Sequence, residues 1–206
     1  MNVITLYEIN AKISKVGESM EYKIVPLTVS DFSNIVEWVN NYDKDFIFQW
    51  AGSTYKFPLT LEQMKEHYAK GFNSNDSETF IYKVVDRYSQ EMIGTVQLGK
   101  IDRIIREAIL GRFLLKSEDH RGQGLGTKVL REIVRIGFEE FSLDRIRLYV
   151  FHLNTQAIRC YKKVGFSVNS ITEDVYQSIR GDNWNRIEMI LDKENWCKLE
   201  EGIDIR

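Results

Sequence analysis

Residues 121–166 read RGQGLGTKVLREIVRIGFEEFSLDRIRLYVFHLNTQAIRCYKKVGF, and the order of patterns in this stretch decides the fold. A glycine-rich turn over residues 121–126 opens directly into an apolar-periodic run. Leu125, Val129, Leu130, Ile133, Val134, Gly137, Phe138 and Phe141 share one face at helical spacing, which predicts a helix. Residues 145–151 then alternate. Ile146, Leu148 and Val150 point one way and Arg147, Tyr149 and Phe151 the other, which predicts a strand. A second helix is expected from Asn154 to Val164, stopped by Gly165.

A glycine turn feeding a helix suits an anion. The first helical N–H groups have no internal partner, and the helix dipole adds positive potential there. Glycines let a ligand come close to the backbone. Pyrophosphate is therefore the expected ligand of Gly122, Gly124, Gly126 and their neighbours, with Arg121 as a charged helper. A plain helix entry needs one glycine or two, not three in five residues. Two other phosphate motifs fail on order. A P-loop places Lys and Ser/Thr directly after its last glycine, whereas Gly126 is followed by Thr127 and then Lys128. A dinucleotide fingerprint counted from Gly122 or from Gly124 finds Thr127 or Val129 where its third glycine belongs.

Outward from this stretch, residues 22–26 read as a strand. Ser30 or Asp31 can cap a helix through Trp38 and Val39, and residues 40–44 form a turn cluster. The run from Phe46 to Phe57 is rich in aromatics, which serve either as core or as a binding wall. Thr60 caps a helix over residues 61–70. Residues 79–86 and 91–100 pair as a hairpin, residues 102–106 are a polar connection, and residues 108–115 are the strand leading to the glycine turn. After Phe166 come Val168 and Ile171, a polar stretch with Asp174, and residues 176–179. Residues 181–183 turn, residues 184–191 form the last core strand, and a short helix and charged tail follow.

Composition bounds the function. The 206 residues suffice for one domain with a full core. A formal net charge of −2 argues against a general nucleic-acid binder. Cys160 and Cys197 cannot make a disulfide framework, the N-terminus shows no signal-peptide pattern, and no apolar run reaches the ~20 residues of a membrane span. The expectation is a cytoplasmic protein. His67, His120 and His152 are dispersed, and neither a Cys/His metal cluster nor a serine elbow is present.

The ordered set of strand, glycine turn, helix, strand, Asn, Ala, Tyr and Gly-Phe resembles the GCN5-related N-acetyltransferases, the GNAT superfamily. Arg121-x-x-Gly124-x-Gly126 resembles their pyrophosphate motif, and Asn154-x-x-Ala157-x-x-x-Tyr161 with Gly165-Phe166 their second cofactor segment. Leu27-Thr28, Asp31, Trp38, Trp184-Asn185 and Met189 look most like the branch that acetylates ribosomal-protein N-termini. The resemblance covers roughly residues 22–192. It implies an α/β (α+β) fold, with a central mixed, mostly antiparallel twisted sheet flanked by helices. It also implies three segments: an extension over residues 1–20 (an extra strand or an interface arm), an acetyltransferase domain over 21–192, and a helix and tail over 193–206.

The resemblance further implies a chemistry. Acetyl-CoA would be the cosubstrate, with no metal. Arg121, Gly122, Gln123, Gly124, Leu125, Gly126 and Thr127 would hold its pyrophosphate. Phe113, Leu114 and Leu115 would pair with the pantetheine arm, and Asn154, Ala157 and Tyr161 would line it. Tyr161 would be the general acid for the leaving thiolate. Glu107 and Glu188 are candidates for the base, each also readable as a solvated surface charge. Trp50 would stand on the acceptor wall. The acceptor would be a protein or peptide α-amine; a small amine (polyamine, amino acid derivative or aminoglycoside) and a non-catalytic acetyl-CoA-binding module are the alternatives. A monomer or homodimer without nucleic acid or membrane partners is expected.

Overall fold

The entry to the first helix shows how local chemistry starts the fold. In the computed structural model, which describes residues 22–116 and 124–202, strand β1 (Tyr22–Pro26) runs into a capping box. The Thr28 amide and hydroxyl both donate to Asp31 Oδ2, at 2.8 and 2.7 Å. Lys83 Nζ donates to Asp31 Oδ1 at 2.7 Å. Burial alone would raise the Asp31 carboxyl, but Lys83 and the Thr28 donors outweigh it and hold the group below its ordinary value. Helix α1 (Phe32–Asn40) follows and buries Phe32, Ile35, Trp38 and Val39 on one face.

The aromatic run turns out to begin with a helix, α2 (Lys44–Ala51). Asp43 caps it by accepting from the Phe46 amide at 3.0 Å, and Gly52 ends it at φ +61°. Helix α3 (Leu61–His67) starts on Thr60, whose hydroxyl accepts from the Gln63 amide. Strands β2 (Phe80–Asp86), β3 (Met92–Asp102) and β4 (Glu107–Leu115) come next, with the expected turns between them. Helix α4 (Leu125–Arg135) continues as a π-helical turn over Ile136–Glu140. Then follow β5 (Arg145–Phe151), α5 (Thr155–Val164), β6 (Ser167–Gln177), β7 (Asn183–Asp192) and α6 (Lys193–Glu200).

The strands hydrogen-bond in the order β1-β2-β3-β4-β5-β7-β6. The pairs β1–β2, β2–β3, β5–β7 and β6–β7 are antiparallel, and β4–β5 is parallel. This is the mixed, mostly antiparallel sheet with flanking helices that the resemblance implies. The chain falls into two compact units, one from Met1–Gly99 with Gly111–Gln123 and the other from Lys100–Leu110 with Gly124–Arg206.

The first unit closes its helices over one cluster, which includes Leu27, Phe32, Ile35, Val39, Ile47, Leu59, Met64, Ile81 and Leu114. Asn40 ties in the loop before α3, accepting from the Leu59 amide and donating to its carbonyl, both at 2.8 Å. The second unit buries Val129, Leu130, Ile133 and Val134 of α4 completely. The π turn then carries Ile136, Gly137 and Phe138 as three consecutive buried residues. Gly137 packs closely there: a Cβ would stand 2.7 Å from Ile146 Cδ1, which would have to shift.

Two segments that the sequence left unassigned take a definite form. The aromatic segment is helical because Asp43 caps it and Phe46, Ile47 and Trp50 meet the core at helical spacing. Residues 167–177 form one continuous edge strand, where the sequence suggests only fragments. Its side chains are mostly exposed, so its backbone ladder to β7 holds it rather than burial. The extension over residues 1–20 lies outside the described residues.

The capping box yields a prediction. Asp31→Ala should lower the unfolding free energy at neutral pH by about 2 kcal/mol, a typical loss for hydrogen bonds to a charged group. Because the folded-state pKa of Asp31 is depressed, its contribution is present above the unfolded value and is lost as pH falls through the folded one. Urea unfolding at pH 7 and at about pH 2.5 should therefore show the difference between wild type and variant shrinking at low pH. An equal difference at both values would mean that the carboxylate charge is not what stabilises the turn.

Candidate functional site

In the second unit, the entry to α4 is built on Gly124, which sits in the left-handed region at φ +81°. Among the described residues, a Cβ there would meet no atom within 4 Å, which leaves room for close approach to the backbone. Gly124 offers no side-chain cap, and its carbonyl receives the Lys128 amide at 3.0 Å. Leu125, Gly126 and Thr127 form the first turn, whose amides lie ahead of the i to i−4 ladder. Arg121, Gly122 and Gln123 lie outside the described residues.

Helix α5 packs beside this turn. Thr127 Oγ1 lies 3.3 Å from Cys160 Sγ, joining the first turn of α4 to the middle of α5. Burial pushes the Cys160 thiol up, so it stays protonated and packs as an apolar group. Asn154 is the N-cap of α5, its Oδ1 accepting from the Ala157 amide at 3.1 Å. Ala157 and Tyr161 follow on the same face. Gly165, at φ +110°, ends the helix. The Phe166 amide then donates to the Tyr161 carbonyl at 3.1 Å, and the two rings meet nearly edge-on at 6.1 Å. The Gly165-Phe166 pair thus fixes the position of Tyr161. Burial raises the Tyr161 phenol well above its ordinary value, which keeps it a proton donor.

Glu107 and Glu188 meet on one guanidinium. Arg147 reaches Glu107 Oε2 at 3.2 Å and Glu188 Oε1 at 3.6 Å. Glu188 also accepts from Asn169 at 2.7 Å, from Ser170 at 3.1 Å and from the Tyr149 hydroxyl at 3.1 Å. The Asn169 bond leads the effects that hold its carboxyl below the ordinary value. A carboxylate with that many donors is a weakened base. His152 Nδ1 accepts from the Asn185 amide at 3.0 Å, and the backbones of the two residues pair as well. It works as a staple between β5 and β7.

In the first unit, Phe113 is half-buried and Leu114 and Leu115 are buried on β4. The parallel ladder to β5 spans only Glu107–Leu110. Trp50, on α2, packs against the core cluster with its ring 5.9 Å from Tyr55. Its indole N–H is buried with no hydrogen-bond partner among the described residues. The sequence reading missed a polar group close by. Arg112 bonds Gln97, Tyr68 and Thr54 and lies over the Tyr55 ring. The available signal was a charged residue after a glycine inside the apolar strand AILGRFLL. Among the described residues no cluster of three metal-ligating side chains occurs, and no helix is long and apolar enough to cross a membrane.

Comparison with known proteins agrees with this layout. A family model described as an acetyltransferase (GNAT) domain matches residues 22–167. An aminoglycoside N(6')-acetyltransferase type 1 of Klebsiella pneumoniae is 29% identical over 172 residues, covering 79% of this chain and 80% of that protein. A spermidine N(1)-acetyltransferase of Escherichia coli (strain K12) is 26% identical over 146 residues, covering 71% and 73%. A crystal structure of spermidine N-acetyltransferase from Vibrio cholerae, in complex with CoA and spermine, superposes with a TM-score of 0.71 at 21% identity. It covers 86% of this chain and 98% of that one. These relatives are named for small amines, not for ribosomal proteins. The residues that suggested the ribosomal branch have structural work instead. Leu27, Trp38, Trp184 and Met189 are buried, and Thr28 with Asp31 forms the capping box.

The cap on α5 can be tested directly. Asn154→Ala should cost about 1 kcal/mol in chemical denaturation, and Asn154→Asp should restore most of it, since either oxygen can accept from the Ala157 amide. Equal losses in both variants would assign the stabilisation to something other than the cap.

Proposed function

We propose that this chain, which belongs to the GNAT acetyltransferase family and is an acetyl-CoA-dependent N-acetyltransferase, acetylates a primary amine on a small molecule. The relatives carry this reading: the aminoglycoside enzyme and the spermidine enzyme align over most of their own lengths with most of this chain. Polyamines, aminoglycosides and amino acid derivatives are the candidate classes. The protein α-amine reading loses its support, because the residues behind it are accounted for by packing and capping.

The residues present fit the cosubstrate. The left-handed Gly124, with open space where a Cβ would be, and the first-turn amides of Leu125, Gly126 and Thr127 suit a pyrophosphate. Arg121, Gly122 and Gln123 complete the motif in sequence. The Phe113, Leu114 and Leu115 backbone would pair with the pantetheine arm, and an amide there would donate to the thioester oxygen as negative charge develops. Asn154 Nδ2 remains available to the arm while Oδ1 caps the helix. Ala157 leaves room beside it. When bound, acetyl-CoA supplies a thioester whose C–S bond breaks as the C–N bond to the acceptor forms.

Tyr161 would donate its phenolic proton to the departing sulfur, a role its burial favours by disfavouring the phenolate. The acceptor must lose a proton before or during attack. Glu107 and Glu188 are both candidate bases, and the donors on Glu188 weaken it as a proton acceptor. Trp50 would present its ring to the acceptor.

Acceptor class is tested by following CoA thiol release with spermidine, an aminoglycoside, a set of amino acids and a set of peptides. Turnover should favour a small amine. Turnover with peptides alone would return the assignment to protein α-amines.

Tyr161→Phe should lower kcat on the order of 10²-fold, the usual scale for a lost general acid. The KM for acetyl-CoA should change little, since the ring remains. An unchanged kcat with a good acceptor would remove Tyr161 from the acid role.

A further inference from the structure

The first unit holds a cationic cluster that the acetyl-transfer residues do not use. Arg112 is half-buried on β4 and sits among neutral groups. Its Nη1 donates to Gln97 Oε1 at 2.9 Å and approaches the Tyr68 hydroxyl at 3.4 Å, and its Nη2 donates to Thr54 Oγ1 at 3.1 Å. The guanidinium carbon lies 5.3 Å from the Tyr55 ring centre and 6.0 Å from that of Tyr68. Arg106, Arg135, Arg145 and Arg147 each reach a carboxylate. Among the described residues, no carboxylate pairs with Arg112.

Donors outnumber acceptors here. Gln97 Oε1 serves both Arg112 and the Tyr68 hydroxyl, the latter at 2.7 Å. Arg112 Nε and Trp50 Nε1 are buried with no hydrogen-bond partner among the described residues. His67 adds no charge. Its ring meets Tyr55 at 5.4 Å and Tyr68 at 4.5 Å, and burial, helped by Arg112, pulls its pKa down to about 4. The backbone is strained at the same place: Arg112 has φ +48° inside a strand, directly after Gly111. Non-glycine residues held there gather at ligand sites.

We infer that this cluster binds a carboxylate on the acceptor, so that the preferred substrate is an amine that also carries an acid group, an amino acid-like molecule rather than a polycation. The inference rests on the small-amine reading and narrows it. A carboxylate gives Arg112 the counter-charge it lacks, and a guanidinium fork matches its geometry. A polyamine or aminoglycoside brings further positive charge to a site that already has an uncompensated one. Trp50 and Tyr55 supply a flat apolar wall for the methylene part of such a molecule.

The test uses the full-length enzyme and matched acceptors: a panel of amino acids, each beside its carboxamide and its decarboxylated amine. For the best acceptor, wild-type kcat/KM should favour the carboxylate over both partners by at least about 10-fold, the scale of one charge-assisted pair. Arg112→Gln should raise KM for the carboxylate about 10-fold or more and erase the preference, leaving the KM for acetyl-CoA unchanged. Gln97→Glu, which supplies the missing negative charge from within, should also erase it, and this variant covers the case in which Arg112→Gln does not fold. Binding of the carboxylate to wild type should shift the His67 ring protons in an NMR titration. A wild type that prefers the decarboxylated amine, or an Arg112→Gln variant that loses activity equally on all three members, would overturn the carboxylate site while leaving the small-amine reading intact. Acetylation of peptides but of no member of the panel would overturn that reading itself.

Discussion

Strand β4 carries a left-handed residue part-way along, and much of the structure depends on that residue. Over Glu107–Leu110 it lies parallel to β5, with Ala108 and Leu110 buried. At Arg112 the backbone leaves the extended region, with φ +48°. From there Leu114 joins the cluster beneath α1, α2 and α3. One strand thereby contributes to two compact units. A regular strand would have kept one alternation throughout and put a charged side chain into an apolar layer or a leucine into water. The strained residue resolves this by giving Arg112 a polar nest of its own.

Much of the rest was legible because its signals are local. The α4 stripe, the Asp86–Glu91 turn, the Asn154 cap and the Gly165 stop each depend on residues a few positions apart, and each stands as read. What escaped depends on distant partners. Helix α2 is rich in residues that favour strands, and the packing of Ile47 and Trp50 decides otherwise. Its Asp43 cap lies in the stretch read as a turn cluster. Strand β6 has almost no buried side chains, so no alternation announces it. The π turn inserts one residue into a helical stripe, which blurs the period at the point where it happens.

The charged groups divide in a way that the sequence could not show. Glu107 and Glu188 looked like free carboxylates, and both turn out to share Arg147. Arg112 drew no reading from the sequence, and it is held among Gln97, Tyr68 and Thr54. Spacing along the chain says nothing about which charges cancel, because the cancelling partners come from β4, β5 and β7 at positions dozens of residues apart. The family motif was legible for the opposite reason: its glycines and its Asn-Ala-Tyr face each lie within a single turn or helix.

The irregular β6 bears on how the molecule behaves among its own copies. It is the last strand of the sheet, with Val168 and Ile171 exposed along it. A straight strand of that kind is a template for another chain. Its pairing with β7 slips twice, between Val168 and Ser170 and between Thr172 and Tyr176, and Asp174 takes a left-handed conformation at φ +50°. These breaks bend the outer row of amides and carbonyls out of line and set a charge within it. A second strand could match it over only two or three residues at a time, so the edge resists fibre growth through its own irregularity.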